Sequence, residues 1–313
     1  MPEFDLTIII VSFNTRDYLR KCLDSIYASI NMEKYEVIVV DNCSADGSQE
    51  TVEIAFPQVN LLKPGMNLGF ARANNLGVKS AHGKYLLFLN PDTIVFPNTF
   101  TNMIDFMDSK PRAGAATCLI LNEDGSVQLH ATRKKPTVPV IFLESLGINR
   151  RYPNNPSNRR YLIADWDRRE SRPVEVISGA FFMVRSNLFR ELSGFDERYF
   201  MYVEDFELSG RILASDSEIW FNPSARIIHY GGKASSSFKS LATLKGITSF
   251  YNYLVLFYHS SLAYIYRIAL FLAFSVFLWY YLLQFFIRDD SYYYINSRNI
   301  LIIIDGLVKL RDS

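Results

Sequence analysis

The sequence predicts an α/β fold in which a mostly parallel sheet with flanking helices is followed by a region of hydrophobic helices. Two observations predict it. Short runs rich in Val, Ile and Leu alternate with segments of helical periodicity over residues 6–121, as in successive strand–helix–strand units. The composition then changes near residue 245, after which Phe, Tyr and Leu dominate.

Five short apolar runs are typical of buried strands, because turn or capping residues bound each run and none is long enough for a stable helix. These runs are Leu6–Ser12, Glu36–Val40, Asn60–Lys63, Tyr85–Leu89 and Ala113–Leu121. Between them, the spacing of apolar residues predicts helices over residues 15–30, 49–55, 67–81 and 99–108. Open parallel sheets of this kind bind ligands at the carboxyl ends of their strands.

The middle of the chain has a different composition. Residues 122–173 are rich in Arg, Asn and Pro, which predicts a long surface excursion with one short helix at Val138–Leu146. After this excursion the sequence has an apolar run at Val174–Arg185. It then predicts helices at Leu188–Leu192 and Glu204–Ala214 and a last strand at Glu218–Asn222. We expect residues 1–240 to form one domain, with halves at about 1–121 and 122–240, and residues 241–313 to form a separate C-terminal region.

Charge and cysteine content exclude some classes of protein. The chain has 33 Lys plus Arg and 32 Asp plus Glu among 313 residues, and this balance argues against a nucleic-acid binder, which usually carries a basic excess. Three widely spaced cysteines, Cys22, Cys43 and Cys118, do not form a disulfide framework. They favour a reducing, cytoplasmic setting.

The C-terminal region predicts membrane-associated helices. Ile268–Ile287 is a run of 20 residues without a charge, and at about 1.5 Å per residue a helix of that length crosses a bilayer core. Phe250–Tyr266 is also apolar, but Asn252 and His259 interrupt it, which favours a helix on the membrane surface. Lys and Arg lie on both flanks, so a single span, a hairpin and a surface helix all stay open. A buried hairpin in a soluble domain is the alternative.

Polar residues follow two of the predicted strands. Asn90-Pro91-Asp92 comes directly after Tyr85–Leu89, and Asp41 ends the strand Glu36–Val40. Because the carboxyl ends of parallel strands meet at one edge of the sheet, we expect these side chains to face the same crevice. A carboxylate there can hold a divalent cation, which would stabilise a departing diphosphate. The alternative is that each acid caps a plain turn.

The order and spacing of eight segments identify a family. They are IIIVSFN (8–14), VVDNCSADGS (39–48), NLGFARANN (67–75), LNPDT (89–93), SGAF (178–181), GFDE (194–197), YVEDFEL (202–208) and HYGG (229–232). Over residues 6–235 the chain resembles the family 2 glycosyltransferases, and among them the bacterial rhamnosyltransferase-like branch. The resemblance implies a GT-A, Rossmann-like sheet with a nucleotide-sugar half and an acceptor half.

The resemblance also implies roles for individual residues. It places the nucleotide sugar against Ser12, Asn14, Asp41, Asn67, Gly69, Ala71, Asn90 and Asp92. Asp41 corresponds to the aspartate that contacts the base or ribose. Asn67, Gly69 and Ala71 belong to a loop that approaches the nucleotide, where a glycine permits close backbone approach. A simple helix cap at Asn67 is the alternative.

Asn90-Pro91-Asp92 stands where the family has an Asp-any-Asp metal motif, with Asn in place of the first Asp. Asp92 is therefore the expected direct ligand of Mg²⁺ or Mn²⁺. His229 matches a family histidine that completes the metal site, and its imidazole has to be neutral to bind the ion. The alternative is a structural histidine.

Glu204-Asp205 matches the acidic pair that supplies the catalytic base. The resemblance assigns the base to Asp205 and acceptor orientation to Glu204, while Gly179 and Ala180 line the donor or acceptor pocket. The alternative is a solvated helix N-terminus, where acids are favoured in any case.

We therefore expect an inverting glycosyltransferase that transfers L-rhamnose from dTDP-L-rhamnose to a lipid-linked or cell-surface glycan at the cytoplasmic face of the bacterial inner membrane. A donor of the UDP-hexose or UDP-galactofuranose type is one alternative. A catalytically inactive nucleotide-binding scaffold in polysaccharide assembly is another, from a different class. The sequence leaves the oligomeric state open.

Overall fold

The computed structural model describes residues 3–29, 34–232, 239–288 and 290–310. The chain divides into two compact units. The first consists of residues 1–135, 159–197 and 204–234, and the second of residues 136–158, 198–203 and 235–313. The expected domain boundary at residue 240 stays a prediction.

The strands all lie in the first unit. They are β1 (Phe4–Ser12), β2 (Tyr35–Asp41), β3 (Asn60–Leu62), β4 (Gly83–Leu89), β5 (Thr93–Val95), β6 (Ala113–Leu121), β7 (Thr132–Arg133), β8 (Arg172–Pro173), β9 (Val176–Ile177), β10 (Phe181–Arg185) and β11 (Glu218–His229).

Helices belong to both units. Those of the first unit are α1 (Arg16–Tyr27), α2 (Ser48–Ala55), α3 (Gly69–Val78), α4 (Thr99–Ser109), α8 (Ser186–Glu191) and α9 (Glu204–Ala214). Helix α7 (Pro156–Tyr161) begins in the second unit and ends in the first. Those of the second unit are α5 (Val138–Ser145), α6 (Ile148–Arg151), α10 (Lys239–Phe257), α11 (Ser260–Arg288) and α12 (Ser291–Lys309).

The main sheet confirms the predicted α/β class. Its strand order is β3-β2-β1-β4-β10-β6-β11-β5, and β8 pairs with β11. Neighbours are parallel from β3 to β4 and again between β6 and β11, whereas β10, β5 and β8 run antiparallel to their partners. Chain order reverses on either side of β1, with β2 on one side and β4 on the other. The carboxyl ends of these three strands therefore define a crevice at the switch point.

Side chains that alternate along β1 explain why helices cover both faces. Ile8 and Ile10 pack into one buried hydrophobic cluster with residues of α1, while Ile9 packs on the opposite face with residues of α3. A Cβ at Gly77 of α3 would lie 2.7 Å from a side-chain carbon of Ile9, so this glycine lets the helix pack closely on the sheet. Burial on both faces is what a continuous apolar strand requires.

The structure corrects several predicted boundaries. Helix α3 begins at Gly69 rather than Asn67, because the Asn67 side chain accepts a hydrogen bond from the Gly69 N–H at 2.9 Å and forms a turn instead. The strand predicted at Glu218–Asn222 continues to His229 through an irregularity after Asn222. The excursion at 122–173 contains α5, α6 and α7 rather than one short helix.

The C-terminal region contains a helix break that was not expected and the long apolar helix that was. Phe250–Tyr266 is not a single helix, because α10 ends at Phe257 and α11 begins at Ser260. His259 makes the break, since its Nδ1 accepts the Ser261 N–H at 3.2 Å. The charge-free run Ile268–Ile287 lies within α11. In the part of the chain that the structure describes, α11 is the one helix long and apolar enough to cross a membrane, and 11% of its most apolar stretch is buried.

Candidate active site

Asp41 lies at the carboxyl end of β2, beside Ser12 at the end of β1. The Asp41 side chain is 1% exposed, and its Oδ1 accepts hydrogen bonds from the Ser44 N–H at 2.8 Å and from Gln49 Nε2 at 2.7 Å. Its buried Oδ2 finds no donor among the residues that the structure describes. Because a buried carboxylate oxygen is costly without a donor, this atom is suited to bind the N–H or O–H of a ligand.

The loops around Asp41 are held by asparagines. Asn14 has the left-handed φ of 52°, and its side chain accepts the Ala45 N–H at 2.8 Å. Asn42, which the sequence analysis did not single out, accepts the Leu68 N–H and donates to the Gly69 carbonyl at 3.1 and 3.0 Å. These bonds fix the segment that contains Asn67 and Gly69 next to the end of β2.

Ala71 occupies a different environment from the one its expected role suggests. It is fully buried in the hydrophobic cluster between α3 and the sheet. Ala71 packs α3 against the sheet in this structure, and its role at the nucleotide stays a prediction.

The strand end after β4 forms a polar cluster. Pro91 has no N–H to continue the ladder, and the chain turns into β5, which pairs with β11 so that His229 lies opposite Thr93. His229 Nε2 is 3.2 Å from Asp92 Oδ1 and 3.1 Å from Asn90 Nδ2. Gln128 Oε1 lies 2.7 Å from the other ring nitrogen, Nδ1. The Asp92 and His229 side chains are 5% and 11% exposed.

This cluster fits a divalent cation that the substrate helps to hold. Among the described residues there is no group of three His, Cys, Asp or Glu side chains around one point, so the protein would supply two ligands, Asp92 and His229. Mg²⁺ sites commonly combine one or two protein ligands with substrate phosphates and water. Asp92 Oδ1 and His229 Nε2 lie 3.2 Å apart, so one cation could contact both atoms.

Cys22 lies beneath this cluster. Its Sγ is 3.3 Å from Thr93 Oγ1, and burial raises the pKa of the thiol to about 12. With no metal bound, it therefore stays a neutral thiol at physiological pH.

Asp205 lies in the first turn of α9, where the helix dipole favours an acid. Its Oδ2 forms a 2.7 Å ion pair with Arg133 Nη2, and both side chains are 10% exposed. Its Oδ1 accepts the Phe206 N–H at 2.8 Å. Glu204, the other acid of the pair, is 5% exposed.

Gly179 and Ala180 connect the two acidic regions. The Gly179 N–H points to Asp205 Oδ2 at 3.4 Å, and the Ala180 carbonyl accepts the Asn90 N–H at 3.2 Å. A Cβ at Gly179 would lie 3.2 Å from the ring of Phe70, so a larger residue would be crowded here. The structure thus brings Asn90, Asp92, His229, Gly179, Ala180 and Asp205 to one edge of the sheet.

Sequence reasoning missed Gln128 and Arg133. Both lie in the polar segment after β6, which carries no periodic signal. Arginine is rarely buried without partners for its charge, and the burial of Arg133 is visible only in the fold.

The sheet with its switch point at β1 and the polar residues along its carboxyl edge are those expected of a glycosyltransferase of GT-A fold. Residues 7–192 match the family model described as glycosyl transferase family 2. The chain belongs to that family.

The curated relatives of the chain include two rhamnosyltransferases. The chain is 30% identical over 255 residues to the rhamnosyltransferase WbbL of Escherichia coli, covering 79% of this chain and 91% of that protein. It is 31% identical over 237 residues to the N-acetylglucosaminyl-diphospho-decaprenol L-rhamnosyltransferase of Mycobacterium tuberculosis, covering 72% of this chain and 76% of that protein.

Solved structures share the fold. The mannosyltransferase PcManGT of Pyrobaculum calidifontis, in complex with GDP-Man and Mn²⁺, superimposes with a TM-score of 0.56 at 15% identity, covering 97% of this chain and 86% of that one. At this identity the match establishes the GT-A fold.

The Arg133–Asp205 pair makes a stability prediction. Arg133→Met should lower the free energy of unfolding by about 3–5 kcal/mol, because it leaves a buried carboxylate without its cation. Adding Asp205→Asn should recover part of that loss. Urea denaturation of both single variants and the double variant measures the coupling.

The matched control for that cycle is Arg112→Met. Arg112 forms an ion pair with Glu218 at 3.4 Å but is 74% exposed, so its removal should cost about 1 kcal/mol or less. Strictly additive losses at Arg133 and Asp205 would contradict a coupled buried pair.

Proposed function

We propose that this glycosyltransferase transfers L-rhamnose from dTDP-L-rhamnose, with inversion, to a lipid-linked or cell-surface glycan. The observation that carries the proposal is the joining of the Asp92–His229 pair to Asp205 through Gly179 and Ala180, which supports one reaction centre between them. The choice of donor is supported by the two rhamnosyltransferase relatives, at 30% and 31% identity.

Asp41 is proposed to recognise the nucleoside. Its buried Oδ2 can accept the N–H of a pyrimidine base or a ribose hydroxyl, and its Oδ1 is already held by Ser44 and Gln49. Because the carboxylate is fixed before the nucleotide binds, little orientation entropy is lost on binding. Ser12, Asn14, Asn67 and Gly69 would complete this part of the site.

Asp92 and His229 are proposed to hold Mg²⁺ or Mn²⁺, which would stabilise the negative charge of the departing diphosphate. Asn90 contributes an amide where a second carboxylate would otherwise stand. The site therefore carries less negative charge of its own, and the donor's phosphates supply the remaining anionic ligands.

Asp205 is proposed to act as the base. It accepts the proton of the acceptor hydroxyl while that oxygen bonds to the anomeric carbon and the carbon–oxygen bond to the diphosphate breaks. An ionised carboxylate has about four lone-pair sites, so the contacts with Arg133, Gly179 and Phe206 leave room for the incoming proton. The ion pair with Arg133 holds the base in one orientation.

The C-terminal region, 241–313, is proposed to attach the enzyme to the cytoplasmic face of the bacterial inner membrane. Large apolar side chains of α11 are exposed, including Val276 at 66%, Trp279 at 74% and Phe286 at 80%. A continuous apolar helix surface of this kind matches a lipid environment. Membrane attachment would bring the site to a lipid-linked acceptor.

Asp205→Asn should reduce turnover by about 10²–10⁴-fold, the usual contribution of a general base, while dTDP still binds. Steady-state kinetics and calorimetric titration with dTDP measure the two effects. The control is Asp216→Asn, because Asp216 is exposed with a φ of 58° that Asn also adopts readily. Near-normal turnover of Asp205→Asn would remove the residue from the base role.

A donor screen tests the rest of the proposal. Purified full-length protein should turn over dTDP-L-rhamnose in preference to UDP-glucose, UDP-GlcNAc, UDP-galactose and UDP-galactofuranose, and EDTA should stop the reaction until Mg²⁺ or Mn²⁺ is restored. Preference for a UDP sugar would reassign the donor. Binding without turnover of any sugar would support an inactive scaffold, and full activity in EDTA would refute the metal role.

Vesicle flotation tests the membrane attachment. The full chain should float with phosphatidylethanolamine–phosphatidylglycerol vesicles, and Val276→Asp combined with Trp279→Asp should stay in the dense fraction, because a charge near the centre of a membrane helix costs about 3 kcal/mol. Ile54→Asp is the control, since Ile54 is 83% exposed on α2 and should leave flotation unchanged. Equal flotation of the double variant would contradict attachment through α11.

A further inference from the structure

Gln128 makes the shortest side-chain contact of the His229 ring. Its Oε1 lies 2.7 Å from Nδ1, against 3.1 and 3.2 Å for the contacts of Nε2 with Asn90 and Asp92. Gln128 comes from the segment between β6 and β7, far from β11 in sequence. The direction of this hydrogen bond decides which ring nitrogen carries the proton, and neighbouring residues determine that direction.

The direction of the hydrogen bond between Gln128 and His229 is determined first by Asp124. An ionised carboxylate only accepts hydrogen bonds, and Asp124 Oδ1 accepts the Ser126 hydroxyl at 2.6 Å. This hydrogen bond also lowers the pKa of Asp124, which keeps the group ionised. With its proton engaged, Ser126 Oγ accepts from Asn122 Nδ2 at 2.9 Å. The Asn122 amide is therefore oriented with its oxygen toward Gln128.

The orientation of the Asn122 amide determines the orientation of the Gln128 amide. Its Nε2 donates to Asn122 Oδ1 at 2.9 Å and to the His229 carbonyl at 3.2 Å. Since the amide nitrogen faces two carbonyl oxygens, Oε1 has to be the atom that faces the ring. An amide oxygen only accepts, so Nδ1 of His229 is the donor and bears the ring proton.

The remaining ring nitrogen is then an acceptor. In the neutral ring with a proton on Nδ1, Nε2 presents its lone pair, and it lies 3.2 Å from Asp92 Oδ1. The Asn90 amide N–H can donate to Nε2 at 3.1 Å. In the absence of a cation the Asn90 N–H therefore occupies the Nε2 lone pair, and a cation placed against Nε2 and Asp92 Oδ1 would take its place.

We propose that Gln128, oriented by Asn122, Ser126 and Asp124, is a positioning residue that keeps a proton on Nδ1 of His229 and so leaves Nε2 as the ring atom that can bind a cation. The inference rests on the proposed metal role of His229. A hydrogen bond to the second nitrogen of a metal-binding histidine fixes its tautomer and ring orientation. In this protein the hydrogen-bond partner of the second nitrogen, Nδ1, is the uncharged amide of Gln128.

The backbone of the segment supports this arrangement. Residues 122–126 form a tight turn in which the Asn122 N–H donates to the Ser126 carbonyl at 2.8 Å and Gly125 has a φ of 81°. An isolated bridge between Leu121 and Val127 closes the turn. Gln128 is therefore held by backbone bonds as well as by its side chain.

Nitrogen NMR of the metal-free protein tests the tautomer directly. The chain has 4 histidines, so long-range ¹H–¹⁵N spectra of histidine-labelled protein can be assigned with a His229→Gln variant. Wild-type His229 should show the proton on Nδ1. Gln128→Leu should lose that preference, because leucine offers no acceptor to Nδ1–H. The control is Gln58→Leu, an exposed glutamine of the same unit.

Metal affinity gives a second readout. With dTDP present, Gln128→Leu should weaken Mn²⁺ binding about 10- to 100-fold, measured by electron paramagnetic resonance of free Mn²⁺, while Gln58→Leu binds nearly as wild type. A proton on Nε2 in the wild type, or an unchanged tautomer in Gln128→Leu, would overturn the inference. If the His229→Gln variant bound Mn²⁺ with wild-type affinity, the histidine would hold no metal. The inference would then fail together with the proposed metal role.

Discussion

The antiparallel pairing of β11 with β5 assembles one side of the site. It places His229 opposite Thr93, and the Tyr230 N–H donates to the Asp92 carbonyl at 2.9 Å. Asp92 and His229 are 137 residues apart in the chain, and a register shift of one residue would turn the imidazole to the other face of the sheet. The left-handed glycines at 231 and 232 then end the strand. The distance between carboxylate and imidazole is therefore set by main-chain hydrogen bonds rather than by side-chain packing.

The buried acids impose a second constraint. A carboxylate without partners costs several kcal/mol to bury, a large share of the 5–15 kcal/mol by which a typical domain is stable. Asp41 meets this constraint with Ser44 and Gln49, and Asp205 meets it with Arg133. The same bonds that make burial tolerable also hold each carboxylate in one orientation. Preorganisation of charged groups is what electrostatic catalysis requires, so stability and the proposed chemistry depend on the same contacts.

Sequence patterns predict the part of the site that local structure positions. The apolar runs that become β2 and β4 are continuous because both faces of the sheet are buried, and they end at Asp41 and Asn90. Family resemblance adds His229 and Asp205, whose contacts are long-range. Gln128 and Arg133 could not be predicted, because nothing in a polar segment shows which of its residues another element will bury. The break between α10 and α11 was missed for a related reason, since hydropathy does not show that the His259 side chain caps the next helix.

One short stretch of chain contacts both sides of the proposed reaction centre. Gln128 binds the ring of His229, and Arg133, five residues later, binds Asp205. In an inverting displacement the leaving group departs from one face of the anomeric carbon and the acceptor attacks the other. The separation between the proposed cation site at Asp92 and His229 and the proposed base, Asp205, must then be held constant. The main chain between Gln128 and Arg133 provides one such link, and the contacts of Gly179 with Asp205 and of Ala180 with Asn90 provide another. Two independent links between the same regions restrict rotation as well as distance, which a single link cannot do.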